Sequence, residues 1–192
     1  MNIVLFDFDG TLTKKDSFLE FIKFSVGKRK FYLGLMALLP TILLYKLGFI
    51  KNYCAKLEIL NYFFKDKSIF YKKTNSFKKE IYRILRDEMY ERLKWHKKNE
   101  DLVVIVSASL RCYLKDWCKE EGIELIATEI EFADGKITYK TKNCYGKQKV
   151  VRIREKYDLD KYDEIFAYGD SKGDLEMLNL ADNAFYRGEI YK

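Results

Sequence analysis

The stretch that decides the fold is Asn2–Thr11, which reads N-I-V-L-F-D-F-D-G-T. Its first half, Asn2–Phe6, is a short apolar run, and such a run is typical of a strand buried on both faces of a parallel sheet. The run ends at once in two carboxylates with spacing two, Asp7 and Asp9. In open α/β sheets the carboxyl ends of the strands are where ligands bind.

Two neighbouring carboxylates at a strand end need a compensating charge if they are buried. A divalent cation provides that charge, and oxygen ligands favour Mg²⁺, which also shares its coordination shell with phosphate. Gly10 permits a sharp turn after the strand. A solvated Asp-Gly turn is the alternative interpretation. A calcium-binding loop is excluded, because its twelfth position needs Glu and is occupied here by Phe18.

The composition indicates one domain, or one domain with an insert. The chain has 192 residues and is 48% hydrophobic, which is enough for a sizeable core. Its four cysteines form no C-x-x-C pair and His96 is the single histidine, so a zinc site of thiols and imidazoles is not expected. We therefore expect reduced cysteines in a cytoplasmic protein. Since the sequence goes directly into a strand, we expect no signal peptide.

The positive charge is concentrated in one segment. Residues 14–98 contain 21 Lys and Arg against 8 Asp and Glu, a net charge of +13, whereas the rest of the chain carries −6. Such a segment is suited to an anionic partner: a phosphorylated substrate, an anionic lipid surface or nucleic acid. A solvated lysine-rich face explains the charge equally well. No nucleic-acid-binding motif accompanies it, so we expect no nucleic acid partner.

The same segment, residues 14–98, is predicted to be helical throughout. Phe31–Tyr45 carries no charge and contains Pro40, which is expected to divide the helix into two short pieces. This run is shorter than the ~20 residues of a membrane-spanning helix. The core of a helical bundle is the preferred interpretation, and an apolar wedge at a membrane surface, flanked by Lys and Arg, is the alternative.

From residue 101 onward, strands alternate with helices. The predicted strands are 102–106, 123–127, 164–168 and 184–186, with a hairpin around Ala133-Asp134-Gly135. This alternation predicts an α/β fold: a Rossmann-like parallel sheet with helices on both faces. The expected domains are therefore an α/β core of residues 1–13 and 99–192 and an inserted all-helical cap of residues 14–98.

Polar side chains follow several of these strands or begin a helix beside them. They are Asp7, Asp9, Ser107, Lys147, Asp170 and Asp174. Taken singly, Ser107 is typical of a helix N-cap, Lys147 of a surface lysine, and the last two acids of a first helical turn. Together they provide carboxylates for Mg²⁺, a nucleophile, and a hydroxyl and an ammonium for phosphate oxygens. The combination therefore indicates phosphoryl chemistry.

These residues give the chain a resemblance to the haloacid dehalogenase-like phosphatase superfamily. D-F-D-G-T-L-T at Asp7–Thr13 resembles the first motif of that superfamily, and S-A-S at Ser107–Ser109 the second. Lys147 corresponds to the third motif and G-D-S-K-G-D at Gly169–Asp174 to the fourth. The helical insert between the first two motifs is similar to the cap of the phosphoserine-phosphatase-like branch.

The resemblance implies a Mg²⁺-dependent phosphomonoester hydrolase with an aspartyl-phosphate intermediate. Asp7 is then the nucleophile, and Asp9 protonates the leaving group and activates water. The implied metal ligands are Asp7, Asp9 through its carbonyl, and Asp170, with Asp174 supporting the metal shell or orienting the lysine. The presence of Asp9 favours phosphoester hydrolysis over dehalogenation, since dehalogenating relatives lack that acid.

The resemblance also implies the phosphate-binding residues. They are Thr11, Ser107, Ala108 and Lys147, and Lys147 additionally offsets charge in the transition state. Asp16 occupies the position from which phosphoserine phosphatases read the substrate amine.

Two departures bear on the substrate. Gly173 stands where phosphoserine phosphatases usually carry Asn, and their substrate-reading arginine has no counterpart in the insert. Leu35–Lys46 is instead similar to membrane-associated relatives of the phosphatidylglycerophosphatase C type. We expect a small or lipid-linked phosphomonoester as substrate and peripheral contact with an anionic membrane at its inner surface. A phosphoserine phosphatase, a phosphotransferase and a non-catalytic binding module of the same fold are the alternatives.

Overall fold

The computed structural model describes residues 1–192 of the chain. The strands are β1 (Ile3–Phe6), β2 (Leu102–Leu110), β3 (Glu124–Thr128), β4 (Ile130–Ala133), β5 (Lys136–Tyr139), β6 (Ile165–Gly169), β7 (Asn183–Tyr186) and β8 (Glu189–Ile190). The helices of the first half are α1 (Ser17–Val26), α2 (Lys28–Ala37), α3 (Leu39–Lys46), α4 (Asn52–Phe63), α5 (Lys67–Ser76), α6 (Lys78–Ile84) and α7 (Asp87–Lys98). Those of the second half are α8 (Arg111–Glu121), α9 (Lys147–Lys156) and α10 (Leu175–Leu178), and single 3₁₀ turns lie at Leu159–Lys161 and Lys172–Asp174.

A six-stranded sheet forms the centre of the fold, with the strand order β3-β2-β1-β6-β7-β8. All pairings are parallel except that of β7 with β8. All four residues of β1 are fully buried, as expected for an apolar strand covered by helices on both faces. The predicted α/β fold with a parallel sheet is confirmed.

The position of β1 explains where the functional groups gather. It lies between β2 and β6, which follow it only after long connections, so the chain leaves this central strand in one direction and returns on both sides. The crevice at the carboxyl ends of such strands is the usual ligand site of doubly wound sheets. The polar residues that follow β1 and β6 therefore share one edge of the sheet with Ser107, which lies in β2 just beyond the last residue paired with β1.

The helical insert leaves and rejoins the core at a short two-stranded hinge. The Lys14 amide donates to the Ile84 carbonyl at 2.8 Å, and the Arg86 amide donates to the Leu12 carbonyl at 2.8 Å. Beyond this hinge, α7 packs on the sheet, where His96 contacts the ring of Phe6. The insert therefore comprises α1–α6 and ends at the hinge. The predicted boundary at residue 98 is too late, because α7 belongs to the core.

The insert is more finely divided than its sequence pattern predicts. As expected, the chain breaks next to Pro40, between α2 and α3. The last third of the segment that was predicted to be helical throughout forms three helices, α5–α7, because the chain turns near Phe77 and again at the hinge. No helix of the protein has both the length and the apolarity that crossing a bilayer requires.

The insert and the core share one hydrophobic cluster of 29 buried residues. The Phe21 ring of α1 stacks on Tyr113 of α8 with centroids 5.0 Å apart. The predicted hairpin, β4–β5, also contacts the insert: Asn61 of α4 accepts from the Ile137 amide at 2.8 Å and donates to its carbonyl at 2.9 Å. The insert is therefore fixed to the core by apolar packing and by hydrogen bonds.

Candidate active site

Three carboxylates meet at the carboxyl edge of the sheet. Asp7 follows β1, and Asp170 and Asp174 lie in the loop and 3₁₀ turn after β6. One oxygen from each lies within 4.8 Å of the others. Asp7 is 7% exposed and Asp174 is 1% exposed, so the cluster is largely shielded from water. The sequence predicted this convergence from the strand ends alone.

A buried ammonium joins two of these carboxylates. Lys149, in the first turn of α9, donates from Nζ to Asp7 Oδ1 at 2.5 Å and to Asp174 Oδ1 at 2.6 Å. Its third donation goes to the Val106 carbonyl at 2.7 Å, so all three protons of the ammonium are used. Lys147, which the sequence placed here, is exposed at the start of the same helix. The assignment is therefore corrected to Lys149.

Burial controls the protonation of this cluster. Desolvation raises the pKa of Asp7 from 3.8 to about 7, although the Lys149 ammonium opposes the shift. Burial alone would raise the pKa of Asp174 as well, but contact with Lys149 holds it below its usual value. Burial disfavours the charged form of Lys149, but the two carboxylates raise its pKa above the ordinary value. Asp174 and Lys149 therefore form a charged pair, and the negative charge of the neighbouring Asp7 carboxylate is only partly compensated.

The cluster has the donor set that Mg²⁺ requires. Three carboxylates face one ammonium, and burial together with the charge of Asp174 raises the pKa of Asp170. This excess negative charge is what a divalent cation with oxygen ligands relieves. Gly10 permits the approach of Asp170, because a Cβ at this position would lie 2.2 Å from Asp170 Oδ2 and its φ is +87°. The residues present therefore fit the metal.

Both carboxylate oxygens of Asp174 accept hydrogen bonds from neighbouring residues. Its Oδ2 accepts from the Ser171 amide at 2.9 Å, the Ser171 hydroxyl at 2.7 Å and the Asp170 amide at 3.3 Å. Its Oδ1 accepts from Lys149. Of the two roles expected for Asp174, the structure shows the contact with the lysine.

The Asp9 carboxylate points away from this cluster. Its Oδ1 accepts from the Ser17 amide at 2.7 Å, and its Oδ2 accepts from the Ser109 hydroxyl. The Ser17 hydroxyl in turn lies 3.2 Å from Tyr113 Oη. The Asp9 side chain is therefore held by Ser17 and Ser109, and the metal contact expected through the Asp9 backbone carbonyl stays a prediction. The sequence missed Ser17 and Tyr113, since only the folding of the insert onto the core brings them here.

Burial also raises the pKa of Asp9, and the nearby Asp16 carboxylate adds to this shift. Asp16 itself is exposed and caps α1, with Oδ1 accepting from the Leu19 amide at 3.0 Å. The positive charge of Lys56, also in the insert, lowers the pKa of Asp9. The Lys56 ammonium lies 5.1 Å from the centroid of the Phe18 ring. One acidic and one basic side chain of the insert therefore influence the protonation of Asp9 in opposite directions. Lys56 was not predicted.

The remaining predicted residues also lie at this edge. Thr11 Oγ1 lies 3.4 Å from both Asp7 Oδ2 and Asp170 Oδ1. Ser107 is 1% exposed, and its hydroxyl accepts from the Ser109 amide at 3.0 Å, as a cap would. Ala108 is half-buried between these two serines. Asp7, Thr11, Asp170 and Asp174 therefore lie together, whereas the Asp9 carboxylate contacts Ser17 and Ser109, and Asp16 and Lys147 are exposed at helix starts.

A cavity of about 400 Å³ opens next to the cluster, between the hinge and the turn after β7. Gly10, Thr11 and Asp170 line its inner side. Arg86 lines it from the hinge, where its Nε donates to the Gly10 carbonyl at 3.1 Å. Arg187 lines it from the turn and donates from Nε to the Asp170 carbonyl at 3.0 Å. Two guanidinium groups therefore stabilise the loops that carry the acids.

Comparison with known proteins agrees with this geometry. The sequence profile of the haloacid dehalogenase-like hydrolases matches residues 4–179. Protein CicA of Caulobacter vibrioides is 33% identical over 196 aligned positions, covering 96% of this chain and 85% of the relative.

Two solved structures share the fold. A protein of unknown function from Bordetella pertussis has a TM-score of 0.74 at 21% identity, covering 95% of this chain and 88% of the other. A phosphoserine phosphohydrolase-like protein from Francisella tularensis has a TM-score of 0.67 at 20% identity, covering 96% and 86%. With the profile match spanning most of the sequence, the chain belongs to the haloacid dehalogenase-like hydrolase family.

Proposed function

We propose that the protein is a Mg²⁺-dependent phosphatase that hydrolyses phosphomonoesters through an aspartyl-phosphate on Asp7. The observation that carries this proposal is the pairing of the Asp7 carboxylate with the buried ammonium of Lys149 beside two further carboxylates. A carboxylate nucleophile is itself anionic, so it needs a nearby cation to approach an anionic phosphoryl group. Asp7 and Asp170 would hold Mg²⁺, which supplies the remaining positive charge at the phosphoryl oxygens.

In the first step, Asp7 attacks phosphorus, and the bond from phosphorus to the ester oxygen breaks. The protonated carboxyl of Asp9 gives its proton to the leaving oxygen, which departs as an alcohol. In the second step, Asp9 takes a proton from a water molecule as that water attacks phosphorus. The bond from Asp7 to phosphorus breaks, inorganic phosphate leaves, and both acids return to their starting states.

The environment of Asp9 supports its part in this scheme. Burial favours the neutral acid, which is the form needed to donate a proton. The Ser17 amide and the Ser109 hydroxyl fix the orientation of the carboxyl group. Lys149, Thr11 and Ser107 border Asp7 and are the groups available to the phosphoryl oxygens. Asp16 and Lys56 would contact the rest of the substrate from the insert.

The proposed substrate is a small or lipid-linked phosphomonoester. A phosphoserine-type activity is the second candidate, since one structural neighbour is phosphoserine phosphohydrolase-like. Gly173 argues against it, because the usual Asn is absent and the Tyr145 ring takes its place: a Cβ at Gly173 would lie 2.2 Å from that ring. A phosphotransferase that passes the phosphoryl group to an alcohol is the third candidate.

Hydrolysis of an aryl phosphate tests the chemistry. We expect turnover with Mg²⁺, none with EDTA, and a loss of about 100-fold or more for Asp7→Asn, which removes the nucleophile. Asp160→Asn is the matched control, because Asp160 is exposed and belongs to none of the four motifs. Full activity of Asp7→Asn would refute the mechanism.

A substrate panel then separates the candidates. Phosphoserine, sugar phosphates and phosphatidylglycerophosphate are compared by kcat/KM, with and without an added acceptor alcohol. A preference for phosphoserine would favour the second candidate. A phosphorylated acceptor among the products would favour the third.

A further inference from the structure

The outward faces of α2 and α3 carry the densest exposed apolar surface of the protein. Nine of the nineteen exposed large apolar side chains in the whole chain lie between residues 32 and 49. They are Tyr32, Leu33, Met36, Leu39, Leu43, Leu44, Tyr45, Leu47 and Phe49, and we call them the apolar face. Contiguous apolar surface on this scale marks an interaction site, whereas single exposed apolar residues are ordinary.

The interior of a helical bundle, which the sequence analysis preferred, does not explain these residues. The inner sides of α2 and α3 do pack on the insert: Phe31 and Leu38 are each 5% exposed. Gly34 lets α2 approach α4, since a Cβ there would lie 2.3 Å from the Phe63 ring. The outer sides have no such partner, and Leu47 and Phe49 are 69% and 75% exposed. The outer sides of α2 and α3 are therefore apolar without a packing partner in the chain, which indicates a partner outside it.

The charges that flank the apolar face along the chain are all of one sign, although Glu58 of α4 accepts a hydrogen bond from the Thr41 hydroxyl of α3. Lys28, Arg29 and Lys30 precede it, and Lys46 and Lys51 lie at its far end. All five are exposed, and none forms an ion pair with a carboxylate of the chain. From residue 21 to residue 57 the sequence contains no Asp or Glu. A partner with an anionic surface and an apolar interior complements this arrangement.

We propose that α2 and α3 dock the protein on an anionic lipid bilayer. The apolar face enters the boundary between headgroups and acyl chains, and the five cations contact the lipid phosphates. The two helices have 10 and 8 residues and meet at a break, so they lie in the interface and do not cross it. This inference goes beyond hydrolysis and does not depend on it, because docking needs no catalytic residue.

Sedimentation with lipid vesicles tests the docking, using the full chain with Asp7→Asn so that turnover plays no part. We expect binding to vesicles with about 30% anionic lipid, weak binding to neutral vesicles, and release in about 0.5 M salt. Salt-insensitive binding to both kinds of vesicle, or no binding to either, would overturn the proposal. If vesicle binding fails while the unmodified chain hydrolyses an aryl phosphate, only the docking is refuted.

Charge variants identify the contact. Replacing Lys28, Arg29 and Lys30 by Gln should lower the partition coefficient by about 100-fold, at about fivefold for each cation near the surface. Replacing Lys115, Lys136 and Lys142 by Gln makes the same change of charge on exposed positions of the core and should have little effect. Equal losses for the two triple variants would mean that net charge alone drives binding.

Apolar variants test the depth of insertion. Leu47→Ser with Phe49→Ser should weaken binding by about tenfold or more. The control is Ile69→Ser with Ile190→Ser, two apolar residues that are 56% and 81% exposed outside the face. Leu43→Trp adds a second readout, because its emission should shift to the blue on anionic vesicles. An unshifted emission would contradict insertion.

A second copy of the chain is the competing occupant of the apolar face. Sedimentation velocity without lipid distinguishes the two occupants. If the protein is a dimer and the double variant Leu47→Ser with Phe49→Ser is a monomer, the apolar face is a self-association surface and the docking on lipid is overturned. A monomer that binds anionic vesicles supports docking on lipid.

Discussion

At the scale of single residues, Lys149 is the cation on which the site depends. It is 1% exposed and bridges Asp7 and Asp174, so its removal leaves two buried carboxylates without their partner. Breaking a buried ion pair in this way typically costs about 3–5 kcal/mol, because an uncompensated charge remains in the interior. The same ammonium faces the proposed nucleophile. Stability and activity therefore depend on one side chain.

We expect Lys149→Met to lower kcat by about 100-fold or more and to reduce the melting temperature of the metal-free protein. Lys147→Met is the matched control, two residues away and exposed, and should stay within about twofold of the unchanged protein. Steady-state kinetics and thermal unfolding measure the two effects. Loss of activity in Lys147→Met alone would reverse the assignment.

The carboxylates of the site were predictable because a strand end is a local feature of sequence. The lysine was predicted two residues early, since the start of a helix fixes a turn but not which residue of that turn faces inward. Lys149 lies four residues before the buried Ile153, on the same side of α9, and this spacing was the available signal. Ser17 and Lys56 had no such signal, because the hydrogen bond from Ser17 to Asp9 and the influence of Lys56 on the Asp9 pKa depend on how the insert folds back.

At the scale of secondary-structure elements, strands were predicted better than helices. β1 and β6 are short apolar runs that end in polar residues, so their limits are visible in the sequence. The helical insert shows continuous helix propensity, and its divisions depend on packing. The turn between α5 and α6 at Phe77, whose ring is buried against Phe21, is one example. Tertiary contacts decided those boundaries.

His96 links two elements of the core, α7 and β6. Its Nδ1 lies 2.8 Å from Asp101 Oδ2 and its Nε2 lies 2.9 Å from the Tyr168 hydroxyl. Burial lowers the pKa of His96 below its usual value of 6.5, although the Asp101 carboxylate opposes the shift. The folded protein therefore favours neutral imidazole, while the unfolded chain binds a proton more readily.

We expect this histidine to make the free energy of unfolding pH-dependent. Its contribution is complete above the unfolded pKa of 6.5 and is lost as the pH falls below that value. Asp7, whose pKa is raised to about 7, contributes a slope of opposite sign in this window, so His96→Gln should make stability rise less steeply with pH than in the unchanged chain, which has no other histidine. Denaturant unfolding at several pH values measures the slope. An unchanged slope would show that His96 does not titrate with unfolding.

At the scale of the whole molecule, the insert and the sheet stabilise each other. Phe21 of the insert is fully buried and contacts the rings of Phe64, Phe70, Phe77 and, in the core, Tyr113. A rigid-body opening of the insert would expose this cluster to water, at a cost proportional to the apolar area. We therefore expect the two parts to unfold in one cooperative transition.

Phe21→Ala tests that expectation. Truncating a buried Phe typically costs about 3–5 kcal/mol, and the loss should appear in both parts of the molecule. Far-UV circular dichroism and the fluorescence of the two tryptophans, Trp95 and Trp117, both in the core, should show coincident, shifted transitions. Phe49→Ala, which removes an exposed ring, should leave the transition in place. Separate transitions for the two probes would contradict a shared core.

The hydrogen bond from the Ser17 amide to Asp9 has a consequence for divergence among relatives. A backbone donor survives every substitution at its own position except proline, so mutation rarely reaches this link between insert and chemistry. The outward faces of α2 and α3 have no such tie to the reaction. Relatives of this chain can therefore lose or change the proposed membrane docking through substitutions on those faces, while the residues proposed for catalysis stay unchanged.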